Sequence, residues 1–139
     1  MDGFSGYLDG SLLNHAFGGP TYTPPTTIWV AALTTMPTDR TGTALVEASG
    51  GGYARFGVAN TGAFAAATTG AAGATKVTAM NMTFPTATGN WSAPVVGIAL
   101  NDSSTAGNWL LWYTLAVSQT IVSGDTLPFV AGTPTMALS

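Results

Sequence analysis

The 139-residue sequence predicts an all-β fold: a β-sandwich or jelly-roll of about eight strands with a short N-terminal helical arm. Three observations carry that expectation. From residue 26 onward, apolar residues recur with period two or in short runs bounded by Gly, Pro, Asn and Asp. Thr fills many of the intervening positions, where a β-branched, uncharged side chain suits a half-exposed pleated surface. Helical spacing, by contrast, is confined to the beginning of the chain.

There, Phe4, Leu8, Leu12 and Ala16 recur every four positions with Tyr7 and Leu13 beside them, which stacks them on one face of a helix over residues 4–17. Gly18, Gly19 and Pro20 end it. Gly6 and Gly10 each cost up to ~1 kcal/mol relative to Ala, so so short a helix must dock on its own domain or on a neighbouring subunit. Residues 1–25 therefore read as an arm and residues 26–139 as one β domain. The expected strands cover 26–35, 52–59, 74–84, 94–101, 108–117, 119–123, 126–132 and 133–138. Ser123-Gly124-Asp125-Thr126 reads as a hairpin with Gly124 at the first central position of a type II′ turn. Residues 36–51 and 60–73 are long connections of the kind that carry function. In the strand at Trp109, Leu110, Leu111, Trp112 and Tyr113 both alternating faces are apolar, so a helix or a second subunit must cover the second face.

Composition excludes several functions. Three basic residues (Arg40, Arg55, Lys76) and a net charge of −3 cannot neutralise a run of phosphates, so nucleic acid is not a partner. Without cysteine there is no disulfide framework and no thiolate metal site. Mean hydropathy is +0.33, yet the longest apolar stretches, 95–100 and 109–117, fall short of the roughly 18 residues of a membrane helix. Asp2 stands where a signal peptide carries positive charge. Charged residues make up only 6% of the chain, where about 25% is ordinary, although fourteen aromatic residues argue for a folded core.

Candidate chemistry is sparse. His15 is the only general base, and Asp9, six residues earlier, lies too far round a helix to orient it. Asp2, Asp9, Asp39, Glu47, Asp102 and Asp125 fall in terminal or turn-rich segments and no pair is selected for acid/base work. Nor do they show the alternating spacing of a calcium loop. The stretch from Ser49 through Gly50, Gly51 and Gly52 to Tyr53 and Arg55 lacks the Lys-Ser/Thr ending of a phosphate loop. It reads as a fold landmark in which Arg55 pairs with Glu47 or Asp39. Trp91, in the 87–92 turn, is the exposed candidate for a sugar platform that would include Trp109, Trp112 and the Asn101–Ser104 loop. No catalytic, cofactor-binding or metal-binding residue is expected.

Taken in order, several segments resemble a known family. They are Leu12-Leu13-Asn14-His15-Ala16-Phe17-Gly18-Gly19, Tyr22-Thr23-Pro24-Pro25 running into Ile28-Trp29-Val30, and the Ser49 to Arg55 landmark. Thr83-Phe84-Pro85, Gly89-Asn90-Trp91, Gly97-Ile98-Ala99-Leu100 and Ser123-Gly124-Asp125-Thr126-Leu127 follow. The pattern is similar to a family of small bacteriophage virion structural proteins labelled tail-fibre or minor structural proteins. The resemblance implies a place in the virion, assembled in the host cytoplasm, and brings no catalytic residues with it.

Scarce charge points the same way, because obligate interfaces are more apolar than ordinary surface. The expected function is a capsid decoration (cement) protein that bridges capsid subunits; the alternative is a tail or fibre component contacting host-surface glycan. An envelope-degrading enzyme ranks last. Expected partners are the major capsid protein or tail proteins, and further copies of the chain. The candidate interface residues are Phe4, Tyr7, Leu8, Leu12, His15, Phe17, Tyr53, Arg55, Trp91 and Trp112, with the contact elements placed in 1–25, 36–51 and 60–73.

Overall fold

The computed structural model describes residues 2–70, 73–132 and 135–138, the segments 73–77 and 135–138 by backbone alone. Its principal sheet is antiparallel and six-stranded. β1 (Gly3–Phe4) pairs with β9 (Trp109–Gln119), β9 with β8 (Val95–Asn101), and β8 with the central β2 (Thr27–Thr35). The far side of β2 pairs with two short strands in succession, β3 (Val46–Glu47) and β4 (Phe56–Ala59). Between β1 and β2 lies α1 (Gly6–Ala16), and after β4 comes a short turn, α2 (Asn60–Ala63). β5 (Thr68–Gly70), β6 (Gly73–Val77) and β11 (Thr135–Leu138) make a three-stranded sheet; β7 (Met82–Thr83) pairs with β10 (Pro128–Phe129).

The fold is an all-β sandwich with a strongly unequal pair of layers. One face of the principal sheet presents Val30, Ala32, Ile98, Leu100 and Leu111, which register brings side by side across β2, β8 and β9. Against it pack Met82, Phe84, Trp91, Ile121, Leu127 and Phe129 from the second layer, with Leu8 of α1. Phe84 is the hub, in edge contact with Phe56, Trp91 and Phe129 at centroid distances of 4.6, 5.6 and 6.3 Å. The opposite face buries Leu33, Ala99 and Trp112 beneath Met36, Leu45 and Trp109. There Met36 lies so close over Gly97 that a Cβ would stand 2.2 Å from its sulfur.

Both apolar faces of the Trp109 strand are thus covered from within the chain. Leu110 and Leu111 face the main core, which includes Leu8, while Trp112 is capped by the 36–45 segment. Phe4 stands opposite Leu111 in the ladder, so the amino-terminal residues form a sheet edge on their own chain.

The expected strands at 26–35, 94–101 and 108–117 appear within two residues of their bounds, as does the helix. The others need correction. Strand 74–84 divides into β6 and β7. Residues 120–123 form no strand, and 126–132 contributes only Pro128 and Phe129. Here the backbone pairs by single bonds to the 84–91 segment, Phe84 N–H to Leu127 carbonyl and Trp91 N–H to Ile121 carbonyl, without extending into a ladder. Of 133–138, residues 133–134 lie outside the described residues, and 135–138 form a strand as expected, β11. The turn at Gly124 is also displaced: Asp125 N–H donates to the Val122 carbonyl, so Gly124, at φ +90°, occupies the second central position and the turn is not type II′.

Candidate functional site

Two regions collect the residues singled out in the sequence. The first is the glycine landmark. Gly50, Gly51 and Gly52 all hold positive φ, and the Gly51 carbonyl accepts the Thr88 N–H. A Cβ on Gly51 would lie 2.1 Å from the Gly89 carbonyl oxygen, so the two turns can meet only as glycines. The chain then delivers Tyr53 to the gap between β3 and β4. Ala32, in mid-β2, presents both backbone groups to that gap; its carbonyl accepts the Ala48 N–H and its N–H donates to the Tyr53 hydroxyl at 2.9 Å. A side chain takes the place of a strand here, which is why β4 begins at Phe56 and not at residue 52.

The Tyr53 hydroxyl in turn donates to Glu47 at 2.6 Å. Burial, followed by that carboxylate acceptor, pushes its pKa well above the ordinary tyrosine value. Arg55 grips Glu47 through Nε and Nη2, and Nη1 donates to the carbonyls of Ser103 and Ala106 at 2.9 Å. Its guanidinium also lies 4.6 Å from the Trp109 ring centroid. One cation therefore ties β3, the 101–107 turn and the entrance of β9 together.

The second region surrounds α1. Ser5 caps the helix, its Oγ accepting the Leu8 N–H at 3.1 Å while donating to the Trp109 carbonyl. Leu8 is buried, and an apolar groove of about 240 Å³ runs beside it, lined by Phe4, Leu12, Tyr22, Ile28 and Phe64. The outer side of the helix is unpartnered: Leu13 is 59% and Phe17 83% exposed, one turn apart. Tyr7 is exposed as well.

A family model described as podophage GP4 fiber I protein gp80 matches residues 3–137. The chain belongs to this family. It is a bacteriophage virion structural protein of a kind labelled a fibre protein. No curated protein matches significantly. The matched stretch begins in β1 and ends in β11, so the amino-terminal strand and helix are within the family's unit.

Within this fibre-family fold the predicted interface residues divide. Tyr7, His15 and Phe17 are exposed, and Phe4, Leu8 and Leu12 face the groove. Tyr53 and Arg55 turn inward. Trp91, expected to be exposed, is 7% exposed and packs edge-on against Tyr53; Trp112 is 1% exposed. A turn predicts solvent, but this one folds its indole under the sandwich, so neither tryptophan offers a sugar platform. His15 accepts the Tyr22 N–H at Nδ1, a local structural contact.

Each carboxylate is already committed to a partner within the chain. Asp39 accepts from Thr41 and Thr43, which holds its pKa well below the ordinary carboxylate value. It is Glu47, not Asp39, that pairs with Arg55. Asp102 holds Asn108, Asp125 holds Val122, Asp2 holds Thr114, and Asp9 pairs with Arg40. Among the described residues there is no group of three His, Asp or Glu placed for a metal ion, and no helix long and apolar enough to cross a membrane. Sequence reasoning missed the groove residues Tyr22, Ile28 and Phe64, which only tertiary packing assembles. The expectation that Tyr7 and Leu13 share the packed face with Leu8 and Leu12 needs correction: each lies one residue from that row, about 100° round the helix, and both are exposed.

Proposed function

We propose that this chain is a fibre component of the virion that acts by assembly, joining other phage structural proteins and further copies of itself, with no residue performing chemistry. The observation that carries the reading is the exposed Leu13 and Phe17 face of α1 beside an open apolar groove, on a protein whose charged residues make up only 6% of the chain. Burying one such aromatic side chain at an interface contributes about 1.5–3 kcal/mol. Binding confined to the assembled partner then stabilises the assembly by mass action.

The family description favours the fibre over the capsid-decoration role expected from composition, since scarce charge suits either. A reconstruction of the intact virion tests the choice. Density fitting this sandwich along the fibres is the expected result; density at regular positions on the head lattice would restore decoration.

A further inference from the structure

We propose that residues 2–16 are exchanged between copies of the chain, each copy seating its β1 and α1 on the body of a neighbour; the assignment deepens the reading of self-assembly and rests on it. The body holds this arm at a defined seat. Gly3 and Phe4 pair with Trp112 and Leu111, and Asp2 accepts the Thr114 N–H at 2.8 Å. Ser5 N–H donates to the Leu110 carbonyl at 2.9 Å and Gly6 N–H to the Arg40 carbonyl at 2.7 Å, while Asp9 pairs with Arg40 and Leu8 enters the core. The polar partners lie at residue 40 and within 109–114, so a second copy offers the same seat.

The choice of seat belongs to the linker, residues 17–26 between α1 and β2. The hydrogen bonds of its first part go back to the helix: Phe17 N–H to the Leu13 carbonyl, Gly19 N–H to the Asn14 carbonyl and Tyr22 N–H to His15. They reach the body only at its end, where the Asn60 amide donates to the Pro25 carbonyl and Asn60 N–H to the Thr26 carbonyl. To seat the arm on its own body the chain turns back at Gly18 and Gly19. Gly18 sits at φ +82°, and a Cβ on Gly19 would lie 2.8 Å from that of Asn14. Pro20, Pro24 and Pro25 favour the opposite, an extended linker. Drawn out, residues 17–26 span roughly 30 Å, enough to cross to an adjoining copy.

Exchange loses the arm no contact. An eleven-residue helix does not persist alone, so it docks on one copy or the other. Its bonds are the same in either seat, and the balance is set by linker strain and by how close the neighbours are. An assembly fixes neighbours at high effective concentration, which favours the exchanged form. The two linkers then cross between the copies, where Leu13 and Phe17, 59% and 83% exposed in the closed chain, gain apolar surface to cover them.

The chain has no cysteine, so introduced ones report the seat directly. A Cβ on Gly6 would stand 3.9 Å from the Arg40 Cβ, close to the separation of about 3.8 Å found in disulfides. Gly6→Cys and Arg40→Cys chains would be mixed in denaturant, refolded together at about 1 mM and oxidised. The mixture is expected to give roughly tenfold more covalent dimer than either variant alone. No excess of dimer in the mixture, while a chain carrying both substitutions closes its disulfide within itself, would overturn the proposal. Gly18→Val with Gly19→Val is the second measure, because β-branched residues resist positive φ and the tight reversal yet accept an extended linker. Sedimentation should show this variant forming folded dimers roughly tenfold more readily than the natural chain. A folded monomer or an unfolded chain would sink the exchange, even where no cysteine pair oxidises. Exchange by a chain found off the fibres would count against the fibre reading alone; a chain found on the fibres that keeps its own arm would count against the exchange alone.

Discussion

Arg55 shows how much a single side chain organises. Its side chain is 8% exposed and its partner Glu47 24%, so the pair is largely removed from water and depends on the surrounding bonds. Replacing Arg55 with Met would leave the Glu47 carboxylate half-buried without its cation, and is expected to cost about 3 kcal/mol in urea unfolding. Tyr53→Phe should cost about 1–3 kcal/mol, because the Ala32 N–H then has no acceptor inside the sheet. Asp39 makes a pH-dependent prediction. Its folded pKa lies below the ordinary value of 3.8, so its contribution is fully present above that pH and is lost as pH falls toward the folded pKa. The stability difference between the wild type and Asp39→Ala should therefore shrink steadily below about pH 4. The ion pair of Arg55 with an acid was legible in the sequence, as was the landmark role of the glycines. That Trp91 would be buried was not, because a turn tryptophan carries no signal for which way its loop folds.

Among the elements, the helix and the long strands were legible because each has its own period. The helix, however, survives through its docking. Ser5→Ala removes both the cap and the hydroxyl's bond to the Trp109 carbonyl, with an expected loss of about 1–2 kcal/mol that thermal unfolding would detect. Gly51→Ala should be worse, since the added carbon meets backbone on the 89–90 turn and nothing flexible can yield; expression as soluble folded protein is expected to fail. The second layer was the poorly legible part. Ile121 and Leu127 are apolar enough to resemble strand residues, yet they are buried in the core with Phe84 and Trp91 and need only isolated backbone bonds. Periodicity reports burial, and burial does not require a ladder.

At the scale of the whole molecule, the exposed and buried parts of α1 make opposite predictions. Phe17→Ser should reduce self-association in sedimentation experiments without lowering the melting temperature, because Phe17 is 83% exposed. Deleting residues 1–25 should instead unfold or aggregate the chain, as it strips β1 from β9 and uncovers the core beside Leu8. The sequence by itself determined the β class, the single short helix, the near absence of surface charge and the likeness to phage particle proteins, since each depends on composition or local spacing. Tertiary structure alone decided that the amino-terminal segment closes its own sheet and that a tyrosine hydroxyl stands in for a strand. It also decided which aromatics meet solvent. Those outcomes depend on contacts between residues far apart in the chain, for which local spacing carries no information.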